Sequence, residues 1–174
     1  MTLITMLVLL ALALVVVVLA VRSIRVIPAE HAAIVERLGR YQRTVPAGLT
    51  FTVPVIDRVR TPLVDLNEQV IQGERSLATA DSHLLSVSTT AHVRVIDPQA
   101  ATYQVADYRA AIDLLITTTL RNLLGDMTLD EALASRAEFI RALLNALSTT
   151  RAWGVHVDRV EISDFRRPRT GLVE

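Results

Sequence analysis

Four histidines are the most chemically versatile residues in this sequence, because imidazole binds metals and transfers protons near neutral pH. They are His31, His83, His92 and His156. No two of them are four residues apart, and none belongs to an HExxH motif, the spacing that places two imidazoles around a zinc ion. The pattern favours isolated histidines on the surface or on a strand face, and we predict no metal site.

Nucleophilic catalysis would need an activated serine, cysteine or lysine. The chain has no cysteine and no lysine, which excludes thiolate nucleophiles, disulfides, Schiff-base lysines and Ser–Lys dyads. Ser86, His92 and Asp97 could form a Ser–His–Asp set, but no GxSxG turn or Gly-rich phosphate loop accompanies them. We therefore predict no catalytic residue, no cofactor and no enzyme, with a membrane-bound hydrolase as the alternative.

The N-terminus carries an apolar run from Leu3 to Val21 that only Thr5 interrupts. Its nineteen residues would span about 28 Å as a helix, close to the ~30 Å hydrocarbon core of a bilayer. A strand in lipid would leave its backbone polar groups unsatisfied, so a helix is favoured even through the valine run Val15–Val18. We predict a single-pass membrane anchor over residues 1–24.

A cleaved signal peptide is the competing interpretation of this run. No basic residue precedes it, and it is longer than a typical signal-peptide core. Arg22 and Arg25 follow it directly. By the positive-inside rule these arginines place the following domain in the cytoplasm, attached to the cell membrane.

The chain carries 18 basic and 18 acidic residues and no net charge, so nothing in its charge indicates nucleic-acid binding.

Strand patterns dominate residues 25 to about 95. We predict strands over residues 33–38 and 44–55, with a turn at Gly39 and with Leu49, Phe51 and Val53 sharing one face. The clearest strand is Leu85–Val95, where period-two alternation over eleven residues predicts one buried face and one polar face. Thr79–Ser82 is the predicted hairpin turn before it.

Helical patterns follow. Asp97 and Pro98 start a short helix over residues 98–104, and a second helix covers residues 107–124 with Gly125 as its C′ residue. A capping box at Thr128–Glu131 starts a third helix that runs to about Trp153. The apolar residues of the second helix are Ile112, Leu115, Leu120, Leu123 and Leu124. The third helix places its apolar residues on one stripe: Leu133, Ile140, Leu143, Leu144 and Leu147.

The last predicted strand is Val155–Ile162, whose two halves place apolar residues on opposite faces. A bulge near Asp158 and Arg159 would reconcile the halves. An anchor, a β-meander, two to three helices and a final strand make an α+β domain.

Four surface features suggest interactions, each with a simpler explanation. The polar strand face Ser86, Ser88, Thr90, His92 and Arg94 could bind a partner or be solvated. Glu30 and Arg37 could pair between protomers or remain solvated. The Arg166–Arg169 cluster could touch anionic lipid or be a disordered end. Apolar residues of Val45–Ile56 could enter the membrane or belong to core strands.

Six ordered blocks of this sequence resemble the stomatin/prohibitin/flotillin (SPFH, band-7) family and, within it, bacterial stomatin-like proteins. The blocks are Ile27–Glu30 with Val35–Tyr41, Pro46–Leu49 with Val53–Asp57, Thr79–Asp81, Val93–Pro98, Leu120–Asn122 with Gly125–Glu131, and Trp153–Val155 with Arg159–Ile162. The resemblance covers roughly residues 25–165. It implies an SPFH domain over residues 25–165 and a short tail over residues 166–174.

The resemblance also implies a role that the residue patterns alone do not. Such proteins form homo-oligomers on membrane lipid, organise membrane microdomains and control membrane proteases of the NfeD or FtsH type. An outward-facing, prohibitin-type regulator of an AAA protease is the alternative orientation. Relatives continue into a long C-terminal assembly helix, and we expect no such helix within residues 166–174, because Pro168 and Gly171 would break it.

Overall fold

The computed structural model describes residues 2–53 and 56–166. The predicted α+β class and the N-terminal apolar helix are confirmed. The chain divides into two compact units, residues 1–66 and 67–174. Unit 1 contains α1 (Thr2–Ser23), β1 (Ile24–Ile27), β2 (His31–Arg37), β3 (Arg40–Val45), β4 (Gly48–Phe51), β5 (Asp57–Val59) and β6 (Val64–Asp65). Unit 2 contains β7 (Gln69–Ala78), β8 (Leu84–Val95), α2 (Pro98–Tyr103), α3 (Tyr108–Gly125), α4 (Leu129–Ala134), α5 (Arg136–Leu147), a 3-10 helix (Ser148–Trp153) and β9 (Val155–Arg166).

Two antiparallel sheets form unit 1. In one of them β2 lies between β3 and β5 and also pairs with β6, while β1 and β4 form the other. Four consecutive residues of β2, Ala32 to Val35, are buried, so this central strand is covered on both faces. The turn from β2 to β3 uses Leu38 and Gly39, both at positive φ, as a two-residue hairpin requires. The predicted turn at Gly39 is confirmed.

The predicted strand over residues 44–55 is wrong in its extent, because β3 ends at Val45 and β4 begins at Gly48. Thr50 is buried, whereas Leu49 and Phe51 are 72% and 69% exposed. The period-two alternation is as predicted, but the apolar face points outward. Core packing therefore does not explain these apolar residues.

Unit 2 is built on the antiparallel sheet β7–β8–β9, with β8 in the centre. Alternate residues of β8 from Leu85 to Val95 are at most 3% exposed, as the period-two pattern predicts. The turn before β8 is closed by a hydrogen bond from the Thr79 amide to the His83 carbonyl. Both the strand and the turn are confirmed.

A bulge in β9 keeps its apolar residues on one face. His92 pairs with Arg159 while Val93 pairs with Val157, which leaves Asp158 as the extra residue. Val157 and Val160 are consequently both buried, and the predicted bulge is confirmed. The pairing shifts again at Ser88 and Thr89, a second irregularity that the sequence did not predict.

The α3 and α5 helices each bury one stripe. The buried residues are Ile112, Ile116, Leu120 and Leu124 on α3, and Phe139, Leu143 and Leu147 on α5. The third predicted helix is interrupted at Ser135, which has φ −100° and ψ 25°. Leu133 and Leu144 are 49% and 39% exposed, so the single apolar stripe predicted for this helix is wrong at these two positions. Gly125 is the last residue of α3 rather than a left-handed residue beyond it.

Strand β7 was missed because polar residues interrupt its inner face, where Gln69 and Arg75 alternate with Ile71 and Leu77. The Tyr108 hydroxyl donates to the Gln69 side-chain oxygen at 2.7 Å, and Arg109 also donates to that oxygen. The Arg75 guanidinium, largely buried, donates to Thr89, Thr117 and Asp113. These contacts attach β7 to α3 through hydrogen bonds, where an apolar strand would use hydrophobic packing.

Candidate functional site

The α1 helix is an apolar cylinder exposed on every side. Its Leu3–Ser23 segment is 21 residues long, none of them buried. At 1.5 Å per residue it reaches about 31 Å, the thickness of a hydrocarbon core. Because core helices bury their apolar stripe against the domain, α1 has the length and composition of a membrane-crossing helix and lacks the packing of a core helix.

The end of α1 is hydrogen-bonded directly to the β1–β4 sheet. The Thr52 amide donates to the Ser23 carbonyl at 2.8 Å, and the Thr52 hydroxyl contacts the same oxygen. The last carbonyls of a helix lack helical partners, so these bonds satisfy one of them. Strand β1 starts at the next residue, Ile24.

The outward face of the β1–β4 sheet, which begins directly after α1, also carries exposed apolar side chains. Ile24 pairs with Phe51, and Val26 pairs with Leu49. The four side chains are 47%, 69%, 74% and 72% exposed, respectively. We call this set the membrane-proximal face. Contiguous exposed apolar surface of this kind marks a protein–protein or membrane contact, and its position directly after α1 favours the membrane.

An ion pair fixes the strands next to this face. The Arg37 guanidinium donates to the Asp57 carboxylate at 2.8 Å, and the Val53 amide donates to the same carboxylate at 3.1 Å. The hydrogen bond from Arg37 is the largest cause that lowers the pKa of Asp57, and the pKa of Arg37 is raised in return. Within the chain, the ion-pair partner of Arg37 is Asp57 on the neighbouring strand β5. The suggested pairing of Arg37 with Glu30 between protomers stays a prediction.

We expect Asp57→Asn to loosen the β2–β5 pairing at neutral pH. Because the folded-state pKa of Asp57 lies below its unfolded value, its stabilisation is complete above about pH 4 and is lost as the pH falls through the folded pKa. Amide hydrogen exchange over residues 31–59 should be severalfold faster in the variant at pH 7, and the difference should vanish in acid. Glu30→Gln is the control, and an equal effect from it would contradict this assignment.

The polar face of the β7–β8–β9 sheet carries pairs of opposite charge across its strands. Arg94 donates to both oxygens of Asp158 at 3.0 Å. The His92 ring lies between Glu68 and Arg159. These side chains are partnered within the chain, which supports the interpretation of this face as a solvated surface.

The structure separates the candidate catalytic trio. Ser86 donates to Glu74, His92 contacts Glu68, and the Asp97 carboxylate caps the N-terminus of α2. Ser86 and His92 are six residues apart on one strand, about 20 Å at ~3.3 Å per residue. No charge relay can connect them.

The remaining histidines are also apart from one another. His31 contacts the Ala29 carbonyl, His83 contacts Asp81, and His156 lies near Asp158 and Arg151. Within residues 2–53 and 56–166, no group of three or more His, Asp or Glu side chains could hold a metal ion. The side chains of the Arg166–Arg169 cluster lie outside the described residues.

Comparison with known proteins supports the resemblance drawn from the sequence blocks. The SPFH domain / Band 7 family matches residues 25–170. An uncharacterised protein of Mycobacterium tuberculosis is 42% identical over 149 residues, which cover 84% of this chain and 39% of the relative. An uncharacterised protein of Methanothermobacter thermautotrophicus is 38% identical over 151 residues, covering 86% and 47%.

A named relative is the human mitochondrial stomatin-like protein 2. It is 34% identical over 144 residues, covering 82% of this chain and 40% of the relative. The chain therefore spans less than half the length of these curated relatives. Because the family match extends over 146 of the 174 residues (25 to 170) and begins where α1 ends, the chain belongs to the SPFH/band 7 family.

Proposed function

We propose that this protein is a membrane-anchored SPFH scaffold that oligomerises laterally, organises membrane microdomains and regulates partner membrane proteins such as proteases. The observation that carries the proposal is an exposed apolar helix of membrane-spanning length that leads directly into the exposed membrane-proximal face of a family-matched domain. The proposed organisation is an anchor over residues 1–24, an SPFH domain over residues 25–165 and a tail over residues 166–174. The proposed orientation is cytoplasmic, on the basis of Arg22 and Arg25.

Membrane attachment favours lateral assembly. Protomers confined to a bilayer meet at a raised effective concentration, so weak contacts suffice to cluster them. Among the described strands, β7 and β9 each pair with β8 alone. Each therefore has one edge that pairs with no other described strand, and such an edge is a template for pairing with another chain. This supports an edge-to-edge contact between copies.

The proposed partners are membrane proteases of the NfeD or FtsH type, as the family resemblance implies. Two alternative functions give different experimental results. A membrane-bound hydrolase would be labelled by a serine-reactive probe, and alanine at the labelled serine would abolish activity. An outward-facing, prohibitin-type regulator would activate a periplasm-dependent reporter fused after Glu174, whereas a cytoplasmic domain would leave that reporter silent.

Two measurements on the full chain test the scaffold proposal. The protein should stay in the membrane fraction after carbonate extraction, because about 4–8 kcal/mol of apolar insertion energy holds α1 in the bilayer. Crosslinking in native membranes, followed by mass identification, should give a ladder of homo-oligomers and the bound partners.

The chain has no native cysteine, so a thiol-reactive crosslinker would react only at engineered cysteines. A double variant with Gln72→Cys on β7 and Glu161→Cys on β9 should form ladders with a short bis-maleimide if copies pair edge to edge. Dilution with cysteine-free protein should shorten the ladder. Monomeric protein that is extracted by carbonate and has no crosslinked neighbour would refute the proposal.

A further inference from the structure

A cavity of about 860 Å³ opens in unit 1 beside the end of α1. Three arginines line it: Arg22 in the last turn of α1, Arg25 on β1 and Arg58 on β5. Apolar residues of the same elements, including Val21 and Val26, complete its wall. The cavity thus combines positive charge with apolar surface at the level where α1 would leave a bilayer.

Within residues 2–53 and 56–166, none of the three arginines has a counter-ion. Among the described residues, no hydrogen bond or ion pair engages the side chains of Arg22, Arg25 or Arg58. Five other arginines each pair with a carboxylate: Arg37, Arg60, Arg75, Arg94 and Arg159. Asp57 is the one carboxylate among the residues recorded as lining the cavity. Its oxygens already accept from Arg37 and from the Val53 amide, so the cavity retains a net positive charge.

We infer that this cavity binds the phosphate-bearing headgroup of an anionic phospholipid. Like charges that line one space repel each other, and an anion between them removes that repulsion. Guanidinium groups bind phosphate through two parallel hydrogen bonds, a geometry that an ammonium group cannot offer. The membrane-proximal face places the acyl chains of the same lipid against Val26, on the apolar side of the cavity.

Arg58 distinguishes this cavity from the basic residues that commonly follow a membrane helix in sequence. Arg22 and Arg25 follow the membrane helix in sequence, and the positive-inside rule alone accounts for them. Arg58 is more than thirty residues further along the chain, and the fold brings it to the same cavity. Its contribution should therefore appear in lipid binding, and the insertion and orientation of α1 should not depend on it.

The test uses the full chain in neutral detergent micelles that contain dioleoylphosphatidylglycerol, with bound lipid counted by native mass spectrometry. An arginine near an anionic surface contributes about fivefold in affinity. Arg58→Gln should therefore weaken phosphatidylglycerol binding about fivefold, and replacing all three arginines with glutamine should weaken it at least tenfold. Arg40→Gln is the matched control, because Arg40 is exposed on β3 of the same unit and its side chain forms no hydrogen bond or ion pair with the described residues.

Three further measurements in the same assay identify the chemical class of the ligand. Arg58→Lys keeps the charge but removes the bidentate geometry, so it should recover only part of the affinity. Dioleoylphosphatidylcholine, which has a phosphate but no net charge, should bind more weakly than phosphatidylglycerol to the unmodified chain. Millimolar inorganic phosphate should leave the lipid bound.

Equal binding by the Arg58→Gln and Arg40→Gln variants would overturn the inference, as would equal binding of the two lipids. Displacement of the lipid by phosphate would reassign the cavity to a soluble anion. The inference rests on α1 being a membrane helix but not on oligomerisation. Loss of lipid binding with intact crosslinking ladders would therefore refute this site and leave the scaffold proposal standing.

Discussion

Phe139→Ala is expected to lower the free energy of unfolding of unit 2 by about 3–5 kcal/mol. Phe139 is fully buried on α5 and is the largest of the fully buried side chains of the described residues. Its removal would take apolar area out of the core and leave a cavity that the close-packed neighbours fill only in part. For a domain with a typical stability of 5–15 kcal/mol, a loss of this size approaches global unfolding.

The measurement is urea unfolding of the full chain in detergent, followed by the fluorescence of Trp153. This residue is the chain's single tryptophan and lies in unit 2, at the end of the 3-10 helix. Leu144→Ala is the matched control, because it lies on the same helix and is 39% exposed. It should cost about 1 kcal/mol or less. Equal losses for the two variants would mean that α5 buries the face that the uninterrupted helical pattern predicted.

Gly154→Ala is expected to destabilise unit 2 by about 2–4 kcal/mol, through a clash and through backbone strain. A Cβ atom at this position would lie 2.3 Å from the Asp97 carbonyl oxygen and 2.9 Å from the Ala100 side chain. Gly154 also has φ +71°, where only glycine is unstrained. The backbone cannot move away easily, because the Gly154 carbonyl accepts hydrogen bonds from the amides of Ile96 and Asp97.

The control for this prediction is Gly125→Ala at the end of α3. A Cβ there would meet no atom within 4 Å, and the residue does not have a left-handed φ. Alanine should leave the stability unchanged or raise it by up to about 1 kcal/mol. Urea titrations followed by Trp153 fluorescence would compare the unfolding midpoints of both variants with that of the unmodified chain. An unchanged midpoint for Gly154→Ala would show that the chain between β8 and β9 does not depend on this close approach.

The parts of the fold that could be predicted are those in which one local pattern decides the outcome. Strand β8 alternates without exception from Leu85 to Val95, and its burial follows that alternation. The bulge at Asp158 was predictable because Val155 and Val157 are out of phase with Val160 and Ile162. The α2 and α3 helices begin at Asp97 and Asp107, whose carboxylates satisfy the free amides of the first turn.

The errors occur where tertiary contacts override the local pattern. Strand β7 presents Gln69 and Arg75 inward, and only their partners on α3 explain why polar residues are tolerated there. The helix break at Ser135 could not be predicted, because neither glycine nor proline occurs near it in the sequence. The outward direction of Leu49 and Phe51 depends on their pairing with β1. Arg58 could not be linked to Arg22 and Arg25 from sequence, because the linkage exists only after β1 and β5 have folded.

The direct junction between α1 and β1 has a mechanical consequence. Ser23 ends the helix, Ile24 begins the strand, and Thr52 holds the helix end through the Ser23 carbonyl. A membrane helix answers a change in bilayer thickness chiefly by tilting. In the proposed membrane setting, where α1 crosses the bilayer and joins β1 without an intervening loop, we expect such a tilt to rotate the β1–β4 sheet together with the helix.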